Sequence, residues 1–384
     1  MSYESGALTF HAFYLAKAFK SNDIELFATR TLPPLNTLGT EPIHGWAGPT
    51  HALDHELTEA NCWRGDWLWF SHVKAQKRPP ASLVRATLMA ELEIERRARD
   101  VEVLPRAAKT EVRERVVEAL TREAQPSFTS MECAIDLRNQ RLFAGAMSDA
   151  AIQVLAPYFR ETTGCVPVMC GPESAAYRLR GIDCNNLELV NMTHNPEIGG
   201  ASEVCIGDEF LTWLFYRWEM QGCDFKMGDE NCSMMFEGPL TFAGDKAPGC
   251  HETLLRNGTP LNTPELGIAL WNGKHLHRAK LTLVKNDWII SATVDGRDFA
   301  FRTMRVDPIK KKEEEDAVSE MPSAPKAEGG SQKLTIDERL ERAAFYVDAF
   351  LHLYGEFLDL RADPVGWRSK LAAIHQWIDA RMKV

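Results

Sequence analysis

Residues 74–122 read KAQKRPPASLVRATLMAELEIERRARDVEVLPRAAKTEVRERVVEALTR. Pro79-Pro80 opens a helix, and Val84, Leu88 and Leu92 recur at four-residue spacing as its apolar stripe. Leu104-Pro105 interrupts it. Thr110 is placed to cap a second helix, in which Val112, Val116 and Leu120 repeat one turn apart. Glu111 and Arg115 sit one turn apart on that helix, where such a pair contributes about 0.3 kcal/mol. Gln125-Pro126-Ser127-Phe128 ends the excursion. The segment therefore predicts a charged helical arm projecting from a body of strands. It holds twelve Lys/Arg against eight Asp/Glu, a net +4, while the whole chain carries −10, which leaves −14 for the remainder. A basic island on an acidic chain suggests a surface for a polyanion. On composition alone, a pair of solvated helices of mixed charge fits equally well.

Strands flank the arm. Upstream, Leu8, Phe10 and Ala12 share one face and Thr9 and His11 the other, which predicts an opening strand. Pro33, Pro34, Gly39, Pro42, Gly45 and Gly48 mark loops and short strands. Asn61 to Val73 sets Trp67, Trp69 and Ser71 opposite Leu68, Phe70 and His72, a strand buried on both faces. Downstream, Met131 to Phe143 reads as a hairpin turning near Arg138-Asn139-Gln140, and Ser148 caps a helix through Phe159. From about residue 187 a second αβ region begins. In it Asp208 caps a helix with Leu211, Leu214, Phe215 and Trp218 on its face. Thr263-Pro264-Glu265 starts a short helix closed by Gly273. A meander follows: Leu281 and Leu283, a turn at Asn286-Asp287, then Trp288, Ile290, Ala292 and Val294, the Asp295-Gly296 turn, and Phe299 and Phe301.

Pro308 to Lys333 has almost no large apolar residues and predicts a disordered charged linker. Thr335-x-x-Glu338 is a capping box before a helix burying Leu340, Val347, Leu351, Tyr354 and Leu358. Asp363-Pro364 restarts the chain into a last helix with Leu371, Ile374, Ile378 and Met382. The expected organisation is α+β: an N-terminal αβ region (1–186) bearing the basic arm (74–122), a second αβ region with a meander (187–307), the linker (308–333) and a C-terminal helical pair (334–384).

The chain has 384 residues, 45% hydrophobic and 26% charged, which are ordinary globular values. No apolar run approaches the roughly eighteen residues that cross a bilayer, and the start MSYESGALTFHAFYLAKAF is not a secretory signal. Nine cysteines, without a Cys-x-x-Cys pair, read as buried free thiols in a reducing cytoplasm.

Few motifs carry chemistry. His51-Ala-Leu-Asp54-His55 has the spacing of a helical metal pair, with His44 nearby, but no third ligand is placed by spacing. His275 and His277 would share a strand face. Asp208-Glu209, Asp229-Glu230 and Asp295-Gly-Arg-Asp298 offer carboxylates for a metal-dependent nuclease, which needs several converging within about 4 Å of two ions. No strand-borne acidic-x-Lys pattern accompanies them, so caps and turns are the expected roles. The chain has no P-loop, no Gly-x-Gly-x-x-Gly after a strand, no Gly-x-Ser-x-Gly elbow and no zinc-finger or helix-turn-helix signature. No catalytic nucleophile or cofactor is indicated. Phosphate contact, by contrast, needs only suitably spaced cations. The candidates are Lys74, Lys77, Arg78, Arg85, Arg96, Arg97, Arg99, Arg106, Lys109 and Arg113, with the face from Arg96 to Lys109 the best placed.

Several segments, in order, resemble the recombination-associated protein RdgC family of bacterial DNA-binding proteins. They are ALTFHAF (7–13), Gly45-Trp46, Lys77-Arg78-Pro79-Pro80 and its charged helix, Lys109-Thr110-Glu111, and Ala134-Ile135-Asp136 through Phe143. Further on they are Asp208-Glu-Phe-Leu-Thr-Trp-Leu214, Gly273-Lys274, and Asp337 to Leu360 with FYVDAFLHLYGEFLDL. Where members carry Leu-Leu-Pro-Arg-Ala-Phe after the second helix, this chain has Arg122-Glu-Ala-Gln-Pro-Ser-Phe128, a few residues shorter. The resemblance implies an α+β protein forming a ring-shaped homodimer around duplex DNA. It implies binding without sequence preference, restraint of recombinase loading, recombination proteins as further partners, and a cytoplasmic, nucleoid-associated location without enzymatic activity. The family has also been labelled an exonuclease, for which this sequence offers no site. Metal-dependent nuclease and protein-interaction scaffold without DNA are the alternatives. The −10 charge is unhelpful for enclosing DNA and implies binding that is weaker, more salt-sensitive or dependent on a partner.

Overall fold

A computed structural model of the chain describes residues 3–188, 190, 192, 193, 195, 205–244, 251–257, 260–306 and 334–382. The linker expected over 308–333 lies outside the described residues. The protein is α+β, its strands pair antiparallel, and its residues form two compact units. Unit 1 gathers 1–17, 138–153 and 166–384, and unit 2 gathers 18–137 and 154–165. Both are discontinuous in sequence, whereas the expected spans 1–186 and 187–307 are continuous.

Unit 2 contains α1 (Ile24–Ala28), β2 (Ile43–Ala47), α2 (Glu59–Cys62), β3 (Trp63–Arg64), β4 (Trp67–Lys77), α3 (Ala81–Ala98), α4 (Arg106–Glu123) and β5 (Pro126–Asp136). It also takes the later part of α5 (Asp149–Thr163). Strands β5, β4 and β2 lie side by side, with β3 folded back on β4. Trp67 to Val73 is buried throughout, as the aromatic alternation predicts. The strand itself starts later than expected, because Glu59–Cys62 is a helical turn and the β3–β4 hairpin turns at Gly65-Asp66. The core is aromatic. Phe27 packs on Phe70 and Trp46 with ring centroids 4.3 and 5.1 Å apart, and Trp46 Nε1 donates to Thr162 at 2.8 Å. Gly45 admits this packing: a Cβ there would lie 2.1 Å from the Leu32 Cα.

Unit 1 contains β1 (Leu8–Tyr14), β6 (Arg141–Ala144), β7 (Val168–Met169), α6 (Pro172–Arg180), α7 (Ile206–Gln221), β8 (Asp224–Met227), β9 (Glu230–Ala243) and β10 (Glu252–Leu255). It continues with α8 (Pro264–Trp271), β11 (His275–Lys285), β12 (Trp288–Asp295), β13 (Phe301–Arg305), α9 (Ile336–Arg361) and α10 (Pro364–Arg381). Its strands run in the order β10-β9-β11-β12-β13-β1-β6, with β8 beside β9 and β7 beside β1. The meander stands as read, its Asn286 in the left-handed region at φ 47°. The capping box at Thr335 and Glu338 starts α9, and Ser148 accepts from the Ala151 N–H at 3.2 Å ahead of α5, which runs on to Thr163.

The expected opening strand is β1, paired with β13 and β6, and Leu8–Tyr14 is buried on both faces. Thr9 and His11 find partners inside. Thr9 Oγ1 accepts from the Thr303 N–H at 3.0 Å, while His11 places Nδ1 2.6 Å from the Ala146 carbonyl and Nε2 3.0 Å from Asp298. Asp208 is not the cap of α7, whose N-cap is Cys205, and that helix is buried on all sides from Ile206 to Tyr216. It packs on β9 and β11 and also on α9 and α10, so it has no free face to keep polar. Met382 is exposed beyond α10, where Trp367 and Trp377 supply the buried contacts instead. Among the described residues all eight cysteines are free thiols, five of them buried, and no helix is long and apolar enough to cross a membrane.

Candidate nucleic-acid interface

The arm springs from the paired ends of β4 and β5, where Lys77 stands opposite Pro126. The Lys77 ammonium donates to the Arg122 carbonyl at 3.0 Å, so it closes the end of α4 and is not presented outward. Pro80 precedes α3 and Pro105 precedes α4, each fixing the entry to a helix. Thr110 therefore falls inside α4, where its hydroxyl donates to the Arg106 carbonyl at 3.1 Å. Asp100, at φ 48°, helps turn the chain between the helices.

α3 and α4 pack on each other. On α4, Ala108, Val112 and Val116 are buried, and on α3 the Val84, Leu88 and Leu92 stripe is half-buried. The Arg115 guanidinium crosses between the helices, 3.4 Å from Glu91 and 3.5 Å from Glu95, instead of pairing with Glu111. Glu111 lies 3.9 Å from Arg99. One flank of the hairpin is thus a seam of opposite charges.

The opposite flank differs. Arg106, Lys109 and Arg113 follow the i, i+3, i+7 pattern that puts side chains on one face of a helix, away from Glu111 and Arg115. The helical phase sets Arg85 of α3 on that same flank. All four are exposed, and none forms an ion pair with the described residues. Arg78, at the base, is also exposed and without an ion pair there, and Lys74 is half-buried on β4.

Arg96, Arg97 and Arg99 have a different environment. Arg96 and Arg97 both hold Glu93, each at 2.9 Å, and Arg99 holds Glu95 at 2.7 Å. Hydrogen bonds from these arginines keep both glutamates below the usual carboxylate range. The i+3 and i+4 spacings from Glu93 and Glu95 already carried this signal in the sequence.

The other chemistry-bearing motifs are occupied structurally. His51 to His55 is a loop, in which His51 Nδ1 accepts from the Leu53 N–H at 3.3 Å. Glu209 ion-pairs with Arg361 at 3.0 Å, buried on both sides. Glu230 meets Lys285 at 2.5 Å and Asp229 sits in the β8–β9 turn. Among the described residues no three His, Cys, Asp or Glu stand together as a group that would hold a metal ion.

Asp208 and Asp295 enclose His277, with Nδ1 3.1 Å from Asp208 and Nε2 3.6 Å from Asp295. Arg297 lies 3.5 Å from Asp208, and Arg278 holds Asp295 at 2.7 Å. Burial disfavours the imidazolium, but the hydrogen bond and charge of Asp208, with Asp295 behind it, outweigh that and raise its pKa, against Arg297. A raised folded pKa means stability that is present in full below the ordinary histidine value and is lost as pH rises through the folded one. Burial lowers the pKa of His72 and His275 to about 4, which works in the opposite direction in wild type and variant alike, so the expected result is a comparison: the stability that wild type has over His277→Gln should be larger at about pH 6 than at about pH 8. An unchanged pH profile in the variant would show that His277 does not couple to folding.

No protein-family model matches the chain, and no curated protein matches it.

Proposed function

We propose that this chain binds double-stranded DNA without regard to sequence and thereby modulates homologous recombination, as a homodimer in the manner of the RdgC family. The reading rests on the flank of the arm bearing Arg85, Arg106, Lys109 and Arg113. Four exposed cations without carboxylate partners among the described residues can replace counterions on a phosphate backbone, and none needs to read a base edge. The surrounding chain is acidic, so the attraction is confined to the arm and weakens quickly with salt. The ordered segments shared with the family, from ALTFHAF to FYVDAFLHLYGEFLDL, support the same reading.

The test is fluorescence anisotropy of two duplexes of unrelated sequence, titrated over a series of salt concentrations. Affinity is expected to fall with a logarithmic slope of about −3 to −4 for each protomer in contact with the duplex, as four displaced counterions per protomer would give. The two duplexes should agree within about threefold, since phosphate contacts carry no sequence information. A flat salt response, or a strong preference for one duplex, overturns the proposal. Gel-filtration mass with and without duplex tests the homodimer.

A further inference from the structure

Unit 1 holds a cleft of about 320 Å³ walled chiefly by Tyr14, Arg141, Arg178, Arg180, Asp348 and His352. Its size is at the lower end of small-ligand sites, which run from about 300 to 1,000 Å³. The walls come from the end of β1, the start of β6, the last turn of α6 and the middle of α9. Three arginines thus converge on one small opening.

Their partners differ. Arg141 is buried and ion-pairs with Asp348 at 2.6 Å. Arg180 grips Asp359 through two hydrogen bonds, of 2.5 and 2.8 Å. Gly355 makes room for that grip, since a Cβ there would lie 3.0 Å from Arg180 Nη2. Arg178 has no carboxylate partner among the described residues; its guanidinium lies over the Tyr14 ring, 4.6 Å from the centroid. Nor is it consumed as a helix cap. The Tyr177 and Ala176 carbonyls already accept from the Gly181 and Ile182 N–H groups, at 2.8 and 3.4 Å. The Tyr14 hydroxyl is buried beside the Cys170 thiol and has no oxygen or nitrogen partner among the described residues. Burial holds that hydroxyl protonated, so it remains a donor. Arg141 and Arg180 are thus held by carboxylates, and Arg178 has none among the described residues.

We propose that this cleft binds a small ligand through a phosphate group, with Arg178 as its principal cation and the Tyr14 hydroxyl as a second donor. Donors reach the cleft from α6, β1 and β6, a convergence suited to a tetrahedral oxyanion more than to a flat carboxylate. The remaining volume takes a group roughly the size of a sugar. The source of the phosphate is either a free ester or the 5′ terminus of a nucleic acid.

Isothermal titration calorimetry of the full chain with inorganic phosphate, glycerol 3-phosphate and acetate tests this. Saturable binding of the two phosphates, but not of acetate, is expected. Arg178→Gln, at an exposed position, should weaken both by about tenfold or more, and Tyr14→Phe should weaken them severalfold. Arg85→Gln should leave them unchanged. Absence of saturable phosphate binding, or unchanged affinity in both the Arg178 and Tyr14 variants, overturns the site. Competition then separates the sources: displacement of glycerol 3-phosphate by a 5′-phosphorylated oligonucleotide, but not by its 5′-hydroxyl form, identifies a chain terminus. Failure of both to displace it identifies a free ester; either result upholds the site. Phosphate binding should also survive charge reversal on the arm, which keeps this site separable from duplex binding.

Discussion

Replacing Arg106, Lys109 and Arg113 together by glutamate is expected to lower duplex affinity by about a hundredfold or more at moderate salt, and to cut the logarithmic salt slope by roughly three for each protomer in contact. Each substitution removes a cation free to meet phosphate and adds a charge that repels it. Loss of fold is a poor explanation for such a result. The three side chains are exposed, and a glutamate at position 106 stands in the first turn of α4, where the helix dipole favours an anion. Neutralising Arg96, Arg97 and Arg99 with glutamine should do less, because Glu93 and Glu95 already hold them. Anisotropy titrations of both variants, alongside far-ultraviolet circular dichroism, decide it. If the Arg96 group carries the larger loss, the interface lies at the end of α3 instead.

Phe210→Ala is the second large effect, and it concerns unit 1. The ring is fully buried in α7. Its centroid stands 5.0 Å from Tyr354, 5.2 Å from Phe350, 5.6 Å from Phe357, 6.2 Å from Trp213 and 6.4 Å from Phe299. Truncating a phenylalanine in such a cluster leaves a cavity that rigid aromatic neighbours cannot fill, and costs about 3–5 kcal/mol. At about 2–4 °C per kcal/mol for a domain of this class, the melting transition should drop by on the order of 10 °C. Calorimetry measures it directly. A shift of only a degree or two would mean that α9 moves inward to close the gap.

Much of the fold is legible in the sequence because it is written in local chemistry. The Thr335 capping box, the Asn286 turn and the proline starts of α3, α4 and α8 each depend on a few adjacent residues. Features decided by distant neighbours were not legible. α7 shows an apolar face in sequence but is buried all round, since α9, which begins more than a hundred residues later, packs against it along with the sheet. Alternation sets Thr9 and His11 on one face of β1 but does not give their partners, which Thr303 and Asp298 supply from far along the chain. The same holds for the arm. A count of arginines cannot say which are committed, and the commitment of Arg115 to Glu91 and Glu95 follows from how two helices lie together. By contrast, the spacing of Glu93 and Glu95 to the arginines after them gave that answer locally.

The pairing of Lys77 with Pro126 has a consequence for how this chain can change. Strands β4 and β5 stay in register from Trp67 and Asp136 up to that point, so they form a complete ribbon that a short turn would suffice to close. Everything from Arg78 to Gln125 is an insertion at the tip of that ribbon. Whole helical turns added to or removed from both α3 and α4 would change its reach by about 5 Å each without altering the ribbon beneath. Reach is thus a quantity that insertions and deletions can adjust while the body keeps its register.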